Sequence, residues 1–173
     1  MASGDTIFSL SATNFVGDDD AQLVAGDVPA AMTNHVGRLV FSFDDTEEEA
    51  MVSDEMICPA HYGAGGLKAN IHFYMATDVT NDIAIDVYVE AVTPNADTLD
   101  METATSWDTA NSGTASIGST TAGDLRKLEI TLTNKDSIAV GDLTRFGLRR
   151  DTDSANDDAV GDMFIAAVEI QET

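Results

Sequence analysis

Leu67-Lys68-Ala69-Asn70-Ile71-His72-Phe73-Tyr74-Met75 decides how this chain is read. Apolar residues stand at 67, 69, 71, 73 and 75, and Lys68, Asn70, His72 and Tyr74 fill the positions between them. A period of two sends successive side chains to opposite faces of an extended strand, one face toward a core and the other toward polar surroundings. The same pattern recurs along the chain. Ile83, Ile85, Val87 and Val89 alternate with Ala84, Asp86, Tyr88 and Glu90. Leu39, Phe41 and Phe43 form a third row, and Leu128, Ile130 and Leu132 a fourth. Phe146 with Leu148 marks a fifth row, and Phe164, Ala166, Val168 and Ile170 a sixth. Thr6–Leu10, Ala50–Ile57 and Ala115–Gly118 read as weaker strands.

Turn-forming clusters separate these rows: Gly63-Ala64-Gly65-Gly66, Thr77–Asp82, Thr133–Asp136 and Asp151–Asp158. Ala96–Asp108, carrying Leu99, Met101 and Trp107, is the one stretch with room for a short turn or helix. Short strands divided by turns, without alternating helical segments, predict an all-β fold. The expectation is one domain over residues 1–173, a jelly-roll-type antiparallel β-sandwich of about eight strands.

Charge sets the next limits. The 173 residues hold 31 acidic and eight basic side chains, a formal net charge of −23. Such a chain repels phosphate backbones and anionic lipid, so direct nucleic-acid binding and membrane association are excluded from the expectations. Abundant Asp with only three lysines (Lys68, Lys127 and Lys135) fits a saline setting, where screening relieves self-repulsion. No run nears the ~20 apolar residues of a membrane-spanning helix. Met1–Thr6 has neither the basic region nor the apolar run of a secretory signal. Cys58, alone, reads as a buried small apolar residue.

Few residues advertise chemistry. Acidic pairs such as Asp44-Asp45 are too common here to single out a catalyst, and that segment reads as a solvated turn. His35, His61 and His72 lack zinc spacing. Gly63–Gly66 lacks the ending of a phosphate loop and precedes a strand. Asp151, Asp153, Asn156, Asp157 and Asp158 offer clustered oxygens suited to calcium, although Ala155 interrupts the series and no terminal Glu follows. Asp18-Asp19-Asp20 is a weaker candidate. The competing reading is an acidic turn compensated by Arg149 and Arg150. Tyr74, Tyr88 and His72 fall on the polar faces of their strands, as contact residues for a partner or as shields for the sheet.

The second half has a recognisable style. Ser106-Trp107-Asp108-Thr109-Ala110-Asn111-Ser112, Thr121–Leu125, Leu128–Leu143 and Leu148–Asp153 continuing to Asp162 resemble a recurrent pattern in virion structural proteins of phages and environmental or halophilic viruses. Leu10–Asn14 and the acidic turn Asp44–Glu49 belong to the same pattern. The resemblance implies a capsid, decoration (cement) or spike module of jelly-roll fold, located in the virion and made in the host cytoplasm. It implies other capsid proteins as partners, homo-oligomers with a trimer favoured, and no catalytic residues. The expected function is therefore virion decoration or a small capsid protein. The alternative is a host-recognition or carbohydrate-binding module, in which Trp107 with Tyr62 supplies aromatic platforms beside Asp and Asn acceptors. A β-sandwich hydrolase is the third reading, and no acidic pair supports it.

Overall fold

The computed structural model describes residues 4–17, 23–77, 81–117 and 121–173. Asp18-Asp19-Asp20, Gly118 and the middle of the Thr77–Asp82 turn lie outside the described residues. The strands are β1 (Thr6–Ser11), β2 (Phe15–Gly17), β3 (Val28–Pro29), β4 (Ala31–His35), β5 (Arg38–Phe43), β6 (Glu49–Ser53) and β7 (Met56–Ile57). They continue as β8 (Leu67–Met75), β9 (Asp82–Val92), β10 (Asn111–Ser116), β11 (Arg126–Leu132), β12 (Leu143–Arg150) and β13 (Met163–Glu172). The stretch Ala96–Asp108 forms turns and irregular chain, with no helix.

These strands build a two-sheet β-sandwich, as the alternation predicts. The first sheet runs β11-β8-β13-β5-β4, with β1 also paired to β13. The second runs β10-β9-β12-β6-β2, with β3 added to β6 and β7 to β12. Pairing is antiparallel except for the short parallel contact of β3 with β6. Thirteen strands are found among the described residues where sequence alternation marks about eight; β2, β3 and β7 are only two or three residues long, too short for alternation to reveal.

Between the sheets lies one apolar core. Leu67, Ala69, Ile71 and Phe73 of β8 face Ile83, Ile85, Val87 and Val89 of β9, all fully buried. Two expected rows are corrected. Leu39 is exposed beside the β4–β5 turn, and only Phe41 and Phe43 of its row enter the core. In β13 a bulge between Ile165 and Ala167 flips the alternation. Met163 and Ile165 point inward before it, Val168 and Ile170 after it, and Phe164 points outward.

That outward Phe164 explains Tyr74, expected as an exposed contact residue and found buried. Phe164, Tyr74 and Val40 pack as a small cluster on the outer face of the first sheet. His35 stacks on Phe164 with ring centroids 4.7 Å apart, and its Nδ1 lies 2.8 Å from the Tyr74 hydroxyl. His72 stays half-buried, with Nε2 3.6 Å from a Glu169 carboxylate oxygen.

The Gly63–Gly66 loop does cradle an anion, supplied by the chain itself. The amides of Gly63 and Gly65 donate to the buried Glu172 carboxylate at 3.3 and 2.9 Å. Tyr62, expected as a sugar platform, is buried beside this loop and donates to the Gly65 carbonyl at 2.9 Å. Cys58 is buried as expected, and burial pushes its thiol up to about 11.

Arg150 ties the second sheet to the loops at one end. Its side chain is fully buried, yet every nitrogen has a partner. Nε and Nη2 take the two Asp157 oxygens at 3.1 and 2.9 Å. The Asp44, Gly161 and Ala159 carbonyls accept the remaining bonds at 3.2, 3.0 and 2.7 Å. A planar five-donor fork fills this cage where an ammonium cannot. Truncation leaves the nearly buried Asp157 carboxylate uncompensated, so Arg150→Met is expected to cost about 3–5 kcal/mol of folding stability. Arg150→Lys is expected to recover only a minor part of this; urea unfolding of both variants is the check.

Candidate functional site

Because Val87, Val89, Phe146 and Leu148 point into the core, their neighbours Asp86, Tyr88, Glu90, Arg145, Gly147 and Arg149 point out of the second sheet. Register sets Arg149 opposite Asp86, Gly147 opposite Tyr88 and Arg145 opposite Glu90. Two ion-pair systems result, one near each end of this face.

The first is closed. Arg149 lies 2.7 Å from Asp86, 3.3 Å from Glu48, 3.5 Å from Asp151 and 3.6 Å from Asp27. The Ser112 hydroxyl donates to the other Asp86 oxygen. Leu23 lies over Gly147 so closely that any side chain there would overlap it. Tyr88, expected as exposed, is buried, and this burial pushes its hydroxyl up to about 12 against the opposing pull of Arg149.

Four carboxylates around one guanidinium have an electrostatic consequence. Burial, then a hydrogen bond shared with Asp151, raises Glu48 to about 7 despite the nearby Arg149. The folded state therefore holds a proton that the unfolded chain releases near its ordinary value of 4.5. Stability from this group is complete below that value and is lost as pH rises through about 7. Thermal melts are expected to fall between pH 5 and 8, and Glu48→Gln is expected to flatten that part of the profile.

The second system is open. Glu90 is buried, and Oε2 accepts from Arg145 Nε at 2.7 Å. Its Oε1 accepts from the Ser106 backbone N–H and hydroxyl, so one carboxylate holds both β12 and the loop that carries Trp107. The Arg145 guanidinium stacks on the Trp107 ring 4.9 Å from its centroid, a cation–π arrangement. Trp107 is half-buried; its indole nitrogen is covered and makes no hydrogen bond.

Two hollows border this clamp, one at Arg145 and one at Ser106. One, of about 240 Å3, is bounded by Arg145 and by Val16, Gly17, Val52, Asp54 and Glu55. The other, of about 510 Å3, is bounded by Ser106 and by Ala91, Leu99, Asp97, Asp100 and Asp136. The Glu90 clamp thus joins a residue that lines the first hollow to one that lines the second. Each combines aliphatic surface with carboxylate acceptors, the composition a polyhydroxylated ligand requires. Burial raises Asp136 above the usual carboxylate range, with Asp108, Glu90 and Asp97 adding to the effect and the Ala91 amide opposing it.

Both oxygens of Glu90 and both of Asp86 are held by donors, which leaves neither free for proton transfer.

Of the residues expected to bind, Trp107 stands in the open site, whereas Tyr74 and His72 lie on the opposite sheet. The acidic loop does not gather around one point. Asp151 pairs with Arg149, and Asp157 with Arg150. Asp158 accepts from the Asp82 amide at 2.8 Å, and Asp153 and Asn156 face solvent. Among the described residues, Asp44, Asp45 and Asp162 bring carboxylate oxygens within 4.8 Å of one another. Asp44 and Asp45 accept there from the Thr46 and Gly161 amides. Sequence reasoning missed Glu90 and Arg145. Both sit at outward positions of strongly alternating strands, but their pairing depends on a register that alternation leaves open.

No family model matches the chain, and no curated protein matches it. Solved structures do. A xylan-binding module, CBM15, matches with a TM-score of 0.56 at 12% identity, covering 98% of each chain. A mannan-recognising carbohydrate-binding module, TmCBM27, gives 0.48 at 12% identity, covering 99% of each. The K1 cleaved adhesin domain of Lys-gingipain from Porphyromonas gingivalis gives 0.47 at 14% identity, covering 98% of this chain and 99% of its own. At 12% identity the likeness to the first of these shows the fold alone: a jelly-roll β-sandwich shared over the length of the chain.

Proposed function

We propose that this chain is a non-catalytic module that binds a neutral polysaccharide along the outer face of its second sheet. The Trp107–Arg145 pair, held by buried Glu90 and bordered by two hollows, carries this reading. A sugar ring offers an apolar C–H face to an indole and hydroxyls to carboxylate and guanidinium partners. Two hollows joined by one clamp, the first at Arg145 and the second at Ser106, suit several residues of a chain better than a single sugar.

The ligand is neutral on electrostatic grounds. Asp54 and Glu55 bound one hollow and Asp97 and Asp100 the other, within a protein of net charge −23. Uronic acids and sulfated glycans meet like charge there, whereas hydroxyls find acceptors. The fold likeness to a xylan-binding module favours this carbohydrate-binding alternative over virion decoration or a capsid role. A glycan-binding domain displayed on a particle is compatible with both readings.

Calorimetry against xylan, mannan and soluble cellulose oligosaccharides tests the reading. Binding is expected to strengthen from a disaccharide to about a tetrasaccharide, with no release of reducing ends. Trp107→Ala is expected to weaken it about 5–30-fold, the equivalent of ~1–2 kcal/mol for a lost aromatic contact. No binding across the neutral panel, or affinity unchanged in Trp107→Ala, would overturn the proposal.

A further inference from the structure

We propose that two copies of this chain associate edge to edge through β4, an isologous pairing that joins their first sheets. β4 is the terminal strand of that sheet among the described residues. Natural edges are blunted by charge or by proline within the strand. Ala31-Met32-Thr33-Asn34-His35 carries neither acidic nor lysine side chains, and its proline, Pro29, stands before it.

The charge pattern selects the occupant. A protein of net charge −23 resists a second copy of itself wherever carboxylates must face carboxylates. From Val28 through Phe43 there is no Asp or Glu, and the charged side chain present is Arg38. The adjoining Thr6–Gly17 segment is also free of acid, and its turn Ala12–Asn14 lies against β5. Along this side, among the described residues, two copies approach without apposing negative charge.

The same side is apolar where it meets water. Met32 is 55% exposed, Val36 83% and Leu39 47%. Register puts Met32 opposite Phe41 and Asn34 opposite Leu39, so Met32 and Leu39 share one face of the hairpin. Val36 adds an independent sign. It holds a left-handed backbone at φ 52° beside Gly37 at φ 81°, with the Gly37 amide donating to Asn34 Oδ1 at 2.8 Å. A two-residue turn of this kind favours Asn-Gly, and a β-branched residue there is strained. A strained, nearly fully exposed valine gains nothing inside one copy; against a second copy it gains burial.

Antiparallel pairing centred on Thr33 sets Thr33 against Thr33 of the second copy, Met32 against Asn34, and Ala31 against His35. The result is one sheet with twice the six strands of the first sheet. An interface of a single short edge and a hairpin falls in the weak class, below ~1,200 Å2. Salt governs it, because the screening length falls from about 10 Å at 0.1 M to about 3 Å at 1 M.

Sedimentation equilibrium from 10 to 500 µM protein, in 0.1 and 2 M NaCl, is the test. The wild type is expected near its monomer mass of 18.3 kDa at low salt and at twice that mass at high salt. Met32→Glu, which places a carboxylate in the pairing, is expected to remain monomeric at both. Val36→Gly is expected to melt at a higher temperature yet associate at least 5-fold more weakly, an opposition that general destabilisation cannot produce. Leu125→Glu, at an exposed site before β11, is expected to associate like the wild type. Oligosaccharide affinity of Met32→Glu per chain should be unchanged, which separates this proposal from the glycan reading. A monomer at 500 µM in 2 M NaCl overturns the proposal. So does a Met32→Glu variant that associates normally, and so does a trimer, since an isologous edge closes at two.

Discussion

Guanidinium–carboxylate pairing along β12 is the constraint around which the second sheet is arranged. The chain has five arginines, and three of them, Arg145, Arg149 and Arg150, stand on this one strand. Each is matched to carboxylates brought from elsewhere: Glu90, then Asp86 with Glu48, Asp27 and Asp151, then Asp157. Buried charge is expensive unless it is paired and hydrogen-bonded, so these contacts contribute less net stability than geometric specificity. They fix where the irregular segments lie. Arg150 holds the loop after β12, Arg149 draws Asp27 and Glu48 onto the sheet, and Arg145 with Glu90 places the Trp107 loop. The open site is therefore a consequence of how a strongly acidic chain distributes its few cations.

That distribution also explains why the two halves of one sheet face differ. At Arg149 the partners outnumber the cation, Leu23 closes over Gly147, and Glu48 retains a proton to higher pH. At Arg145 the guanidinium pairs with the Glu90 carboxylate, and its planar face stacks on an indole. Arginine suits this double role because its donors lie in the plane while its face remains apolar. Lysine at 145 would keep the charge and lose the platform.

The sandwich was legible in the sequence because alternation depends only on local periodicity. Leu67 to Met75 and Ile83 to Val89 are buried where expected. What alternation could not supply was the cover over the outward faces. Tyr88 and Tyr74 both lie on the faces expected of them, and both are buried. Leu23 and the Arg149 network lie over the face that holds Tyr88, and His35 and Phe164 pack against Tyr74. The inversion at Phe164 required a bulge, which adds one residue without any composition signal. Trp107 was legible as a candidate by its rarity alone, since Ala96–Asp108 has no periodicity. Its partners were not, because Glu90 and Arg145 are 55 positions apart and meet only through strand register. The acidic loop was half legible: the compensation by Arg149 and Arg150 was visible from adjacency, and the engagement of Asp158 with the Asp82 amide was not.

Acidic residues are arranged oppositely on the two proposed surfaces, and the arrangement connects them. Around Trp107 the carboxylates line hollows, where a neutral polyol uses them as acceptors. Along β4 they are absent, where a second copy of the chain would meet them as repulsion. Val16 of β2 borders the smaller hollow, and β2 lies beside β4, so groove and edge are neighbours. If the glycan proposal holds, a single indole gives each groove a modest affinity. Two grooves carried by one pair and engaging one polymer gain from an effective concentration in the millimolar range, with no new contact. The gain grows with salt, because salt strengthens the pairing while it leaves a neutral ligand's hydrogen bonds largely untouched. Under the two proposals together, high acidity would keep single copies apart in dilute buffer and let screening bring them together in salt.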